Sequence, residues 1–419
     1  MGSGKTSAAI TYINRSAPES HFVFLSPYVD EGKRIATACP ERNFAVLKKR
    51  RGSKLNDLRY QVRQHRNIAS THALLERYTP DILEGISAGK YTLILDEAYA
   101  VTKTVTATQK SDFQCLLDNG AVRVDPETHH ATLVDERCEG YGGTSMQDMI
   151  ERVRAGSIYY FQGKVLIWIF PVHILQAFES IIVLTYMFEA QTLYPYLKLH
   201  GYQFNYWGTR KSVDGTYEFC PADTADTPNI DLYRLITPLD HEKMNAIGAP
   251  TKALCANWYD GERRKGGKSI VKLARHIRNA PKNIYKCSAK EFMWTTYQRF
   301  REEMQDKNIK PHFVPCNARA SNQWRNKRYL AYCVNIYEHP DAADYFEMLG
   351  YPLDVDKLAL SEMIQWIWRS AIRDGKEIWI YIPSSRMRGL LEDWIKEVSA
   401  DANAAAQPAR IPSALSGWA

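Results

Sequence analysis

The chain has 419 residues, 45% of them apolar and 24% charged, and a formal net charge of +7. These proportions exclude a disordered or fibrous chain, and the length allows two or three domains, each with its own core. Eight cysteines stand singly with no Cys-x-x-Cys pair, and His129-His130 has no partner at ligand spacing. That pattern argues against a zinc site and a disulfide framework and for reduced thiols. The most apolar stretch, Val165 to Phe188, is interrupted by Pro171 and Glu179, so it reads as core, and no membrane partner is expected.

The first element is a glycine-rich turn, Gly2-Ser3-Gly4-Lys5-Thr6, followed by Ala9, Ile10 and Ile13 at helical spacing. Backbone N–H groups of such a turn, at the positive end of a helix, hold phosphate oxygens. Lys5 then reaches the outer phosphates, and the Thr6 hydroxyl ligates Mg²⁺. A full phosphate loop has an earlier glycine and a preceding strand, so the pattern is compatible with a start upstream of Met1. His21–Pro27 reads as a strand, with a helix from about Val29. Lys48-Lys49-Arg50-Arg51, with Lys54, Arg59, Arg63 and Arg66, forms a dense cationic run. Asn67–His72 is a second strand, followed by a helix over Ala73–Tyr78. A third, closing on Leu93-Ile94-Leu95-Asp96-Glu97, is a buried strand that ends in two acids. There Asp96 suits a metal's water shell and Glu97 suits the polarising of an attacking water. Turn and acids together predict a site for ATP and Mg²⁺.

Between about 104 and 164 the pattern becomes polar and hairpin-like, with turn signals at Asn119-Gly120 and Pro126-Glu127-Thr128; it reads as an insertion on an α/β scaffold. Ser180–Thr185 returns a buried strand. A second α/β region follows the polar stretch near Pro221–Asn229. Its expected elements are a strand over Thr251–Trp258, helices over Ile270–Arg278 and Phe292–Gln305, and a strand over Tyr329–Tyr337. A long helix over Leu358–Asp374, a strand over Glu377–Ile382 and a helix over Met387–Val398 complete it, and the tail 399–419 is expected to be disordered. A second cationic run spans Arg263 to Arg278. Inside it Gly266-Gly267-Lys268-Ser269 mimics a phosphate loop, but Glu262 stands where the earlier glycine is required, so the motif is rejected. On the long helix Gln365, Arg369 and Arg373 are four apart and share a face. A glutamine with two guanidinium forks suits a γ-phosphate.

These residues resemble the two-domain helicase-like ATPases of superfamily two, particularly the DEAD/DEAH-type versions of phages and the related replication origin-binding proteins. The resemblance rests on Gly2–Thr6, Leu25-Ser26-Pro27, Ser70-Thr71-His72, Asp96-Glu97-Ala98-Tyr99, Leu184-Thr185, and Gln365 with Arg369 and Arg373. It implies two RecA-like α/β domains with parallel sheets, the first over 1–225 and the second over 230–398. It also implies that Pro27, Thr71 and His72 touch a nucleic-acid backbone, that Thr185 couples hydrolysis to movement, and that Gln365, Arg369 and Arg373 complete the ATP site. The chain departs from the family pattern at Trp368, at the spacing of Arg373, at Leu184-Thr185-Tyr186 and at Asn317–Asn322. The expected function is a nucleic-acid-dependent ATPase, a helicase or translocase of phage-type DNA replication or recombination, with DNA favoured over RNA. Replication proteins are possible partners, and the location is cytoplasmic, in the host if the chain is phage-encoded. Two alternatives stay open: an ATP-gated origin-binding or loading factor, and a terminase-type packaging ATPase.

Overall fold

A computed structural model describes residues 3–405, apart from 135–137, 139–140, 142, 144–145, 162, 164, 227–229 and 319–322. Gly2, most of the expected tail and part of Asn317–Asn322 therefore lie outside the described residues. The chain divides into two compact units. The N-terminal unit comprises Ser3–Asp226 and Glu338–Leu358; the C-terminal unit contains Thr227–Tyr337 and the chain from Ala359 onward.

In the N-terminal unit, apolar runs form the strands β1 (His21–Ser26), β2 (Ala45–Val46), β3 (Ile68–Thr71) and β4 (Tyr91–Asp96). The expected insertion follows, and it holds more than hairpins. Entered through β5 (Thr102–Thr104), it carries β6 (Val122–Val124), β7 (Ala131–Leu133), β8 (Ile158–Phe161) and helices Ala107–Asp118 and Gln147–Arg154, and β9 (Val165–Ile169) begins just past its expected end. Asn119-Gly120 proves to be the end of the first of these helices rather than a hairpin turn: Asn119 is the cap and Gly120 takes φ 68°. β10 (Ser180–Leu184) returns the chain to the main sheet, and β11 (Trp207–Lys211) and β12 (Tyr217–Pro221) form an antiparallel ribbon. The main sheet has the order β10-β4-β1-β3-β2, and every pairing in it is parallel.

Successive β1 side chains serve opposite layers, as strand geometry demands. Phe22 and Phe24 pack with Ala9 and Ile13 of helix Lys5–Arg15. Val23 and Leu25 join the larger core shared with the insertion. Helix Pro340–Met348, from far along the chain, closes this second layer. Tyr345 meets the rings of Tyr159 and Phe161, and Asp341 accepts an ion pair from Lys110 at 3.1 Å.

In the C-terminal unit, β13 (Ile236–Pro238), β14 (Phe292–Thr295), β15 (Tyr329–Tyr332) and β16 (Ile378–Tyr381) form a sheet of order β13-β16-β15-β14. It too is parallel throughout. Three expectations change here. Thr251–Trp258 is not a strand but a series of turns leading into helix Ala256–Arg264. Phe292–Gln305 is not one helix: its apolar start is the buried β14, and helical turns begin only at the 3-10 segment Gln298–Phe300, followed by Arg301–Met304. The long helix ends at Ile367, because residues 368–370 form a turn before a separate 3-10 segment, Ala371–Asp374. The last helix runs past Ser399 to Ala405. The whole is a mixed α/β fold with mostly parallel sheets, and no described helix is long and apolar enough to cross a membrane.

Candidate functional site: a glycine-rich turn against two acids

The site lies at the carboxyl ends of the N-terminal unit's central strands, where parallel sheets characteristically present ligands. The chain enters helix Lys5–Arg15 through Gly4, whose φ of 74° and ψ of 18° are left-handed. Glycine takes that conformation without steric cost. A second constraint acts at the same point, because a methyl group on Gly4 would overlap the ring of Tyr217 in β12. Beside it, the Thr209 hydroxyl of β11 donates to the Ser3 carbonyl at 2.6 Å. The ribbon thus holds Ser3 and Gly4, the two described loop residues before Lys5.

Across the site stands β4, paired on both sides. Its last residue, Asp96, is in register with Leu184, and the next backbone N–H, that of Glu97, donates to the Leu184 carbonyl at 3.0 Å. Thr6 Oγ1 donates to Asp96 Oδ1 at 3.1 Å, so the predicted metal pair is already joined. Glu97 takes φ 71°, a conformation costly for a residue with a Cβ. Strain of this kind concentrates where side-chain direction matters.

The electrostatics are those of a dry, charged pocket. Burial lowers the Lys5 ammonium below its ordinary range, while Glu97 and Asp96 pull the other way. Burial, then repulsion from Glu97, pushes Asp96 up to about 7, although the Thr6 hydrogen bond opposes the rise. Glu31 and Arg34, themselves paired at 3.1 Å, add smaller opposed effects. A half-buried, partly desolvated lysine beside two acids, with a hydroxyl on one of them, fits the phosphates of a nucleotide and a hard divalent cation. Among the described residues no cluster of three His, Cys, Asp or Glu side chains could hold a metal alone, so a cation here would share its ligands with phosphate.

The other predicted residues fall in two places. Pro27, Thr71 and His72 sit at the same carboxyl edge, with Ser26 and Thr71 in register on β1 and β3. The His72 ring meets Tyr99 edge-on at 5.7 Å, and the Tyr99 hydroxyl donates to Glu76. Thr185 follows β10 directly. In the C-terminal unit the expected common face of Gln365, Arg369 and Arg373 does not form, because the helix stops between the first two. Gln365 is buried, and its amide donates to Ser361 Oγ at 3.3 Å. Arg369 is buried in the turn, and Arg373 lies half-buried in the 3-10 segment. Burial, then the neighbouring Arg325, lowers the Arg373 guanidinium's pKa.

A family described as the YonV C-terminal Rossmann-like domain matches residues 231–395. The SPbeta prophage-derived uncharacterized protein YonV of Bacillus subtilis (strain 168) is 33% identical over 407 residues, covering 94% of this chain and 97% of that protein. The chain belongs to the YonV family. Its C-terminal half is accordingly Rossmann-like, in agreement with the parallel order β13-β16-β15-β14. The chain also carries two loop-holding residues, Thr209 and Tyr217, that motif reading did not single out. Their one local signal was Asp214-Gly215, a hairpin turn pair.

Proposed function

We propose that this chain is a nucleic-acid-dependent ATPase built on RecA-like domains, a DNA helicase or translocase in a phage setting. The observation that carries the reading is the hydrogen bond from Thr6 to Asp96, which joins the glycine loop to the acidic strand end with the half-buried Lys5 beside it. Lys5 would neutralise phosphate charge, and Thr6 with Asp96 would hold the cation. Glu97 would orient the attacking water and accept its proton. A bound Mg²⁺ would supply further neutralisation of the phosphates. The resemblance assigns nucleic-acid contact to Pro27, Thr71 and His72, and support of turnover to Gln365, Arg369 and Arg373; both remain part of this proposal. The phage setting is supported by the prophage origin of the relative.

An ATP-gated binding or loading factor is the second reading. It is favoured by the interrupted helix at Ile367, which leaves the glutamine and arginines without one rigid face. ATP turnover of the purified chain with single-stranded DNA, duplex DNA and RNA added in turn tests the first reading. Turnover stimulated by one of them is expected, and its absence with all three would refute it. Strand displacement on tailed duplexes separates the helicase from the factor.

A further inference from the structure

Between Glu262 and Glu291 the chain carries ten lysines and arginines and no acid. The structure gathers part of that run on helix Lys268–Asn279, whose apolar side, Ile270, Leu273, Ala274 and Ile277, is buried in the C-terminal unit's core. Lys268, Lys272 and Arg275 are exposed along the helix, and Arg264 is exposed just ahead of it. Among the described residues none of these four has an ion-pair partner, whereas nearby Arg263 and Arg299 are paired with Glu303 and Asp260. The N-terminal unit's cationic run is a useful contrast: Arg50, Arg59 and Arg63 face Asp57 or Asp81. Like charges three and four apart on a helix repel by about 0.2–0.5 kcal/mol per pair. Of the second run Lys265 is paired with Glu262, but the cations along helix Lys268–Asn279 repel one another with no acid beside them, and that points to an anionic ligand that compensates them.

We infer that the exposed face of helix Lys268–Asn279, with Arg264, is a surface that binds the phosphodiester backbone of nucleic acid without reading its sequence. A lipid surface is a poor match, because the helix's apolar side is already buried. An acidic protein would be expected to meet aromatic anchors, yet Val271 is the one large apolar side chain exposed on this helix. A sugar-phosphate strand asks only for charge. This inference rests on the nucleic-acid half of the proposed function and not on ATP hydrolysis.

The test is binding of a fluorescent single-stranded oligonucleotide, its duplex and an RNA of the same sequence to the full chain over a range of salt. The variant Lys268→Ala/Lys272→Ala/Arg275→Ala is expected to lose at least tenfold in affinity. Its log–log salt slope should fall by about two on single strands, the loss of three contacts at about 0.7 each. A control, Lys33→Ala/Arg63→Ala/Lys396→Ala, removes three exposed cations that already have acidic partners and should bind as wild type. Wild-type binding by the first variant, or equal loss in the control, would overturn the inference. So would polyglutamate competing as well as DNA. A wild-type chain that binds DNA but never hydrolyses ATP would sink the ATPase and leave this surface standing.

Discussion

Two glycine–lysine turns start helices in this chain with almost the same backbone. Gly4 enters its helix at φ 74°, ψ 18°, and Gly267 enters its own at φ 69°, ψ 14°. Each is followed by lysine and a hydroxyl residue. Lys5 is drawn into a desolvated pocket with Asp96 and Glu97, while Lys268 is exposed. Local sequence makes a helix entrance in both places. What turns one of them into a candidate nucleotide site is the strand end it faces and the ribbon packed on it.

The largest effect that would break this contrast is on nucleotide affinity. Lys5→Ala should lower ATP binding and turnover by a hundredfold or more, whereas Lys268→Ala should weaken only nucleic-acid binding; equal nucleotide affinity in the two variants, by equilibrium dialysis, would erase the distinction. Next comes Glu97→Gln, which should cut turnover by about 10²–10⁴ while bound nucleotide persists, as measured by single-turnover hydrolysis and filter retention. Third, Gly4→Ala meets both a left-handed φ and the Tyr217 ring, but Gly267→Ala meets only the former, since nothing lies within 4 Å of its added carbon. Denaturant titration should give about 1–2 kcal/mol for Gly267→Ala and a clearly greater loss for Gly4→Ala.

The smallest effect concerns proton linkage. The folded Asp96 carboxyl titrates near 7, and an unfolded aspartate near 3.9. Between those values the folded chain holds the extra proton, so this group's contribution to stability declines as pH rises from about 4 to 7 and remains low above. Asp96→Asn should therefore melt higher than wild type at pH 8, by roughly 5 °C, with the gap closing toward pH 5. A gap that widens on acidification would contradict the burial argument.

Much of the candidate site's local geometry was legible because it is encoded in short segments. Gly4-Lys5-Thr6 and Leu95-Asp96-Glu97 each declare their element in a few residues, and the strands β1, β3, β4 and β10 follow from apolar runs a parallel sheet must bury. What stayed hidden is of longer range. Tyr217 stacks on Gly4 from far along the chain, and no periodicity marks a ring that packs against a glycine. Phe292–Thr295 merges into Phe300 and Met304 at apparent helical spacing, so a strand and a short helix read as one long helix. The break after Ile367 is hidden too, because Trp368 and Ile372 are buried whether or not the helix continues.

Helix Pro340–Met348 has a practical corollary. The family-matched region at 231–395 spans it, yet Ala342, Tyr345 and Phe346 find their apolar neighbours on the insertion of the other half. A fragment trimmed to the bounds of that region would carry a greasy, orphaned segment into water and tend to clump. Severing the chain for study is better done by excising 338–358 with a short linker than by cutting once near 226.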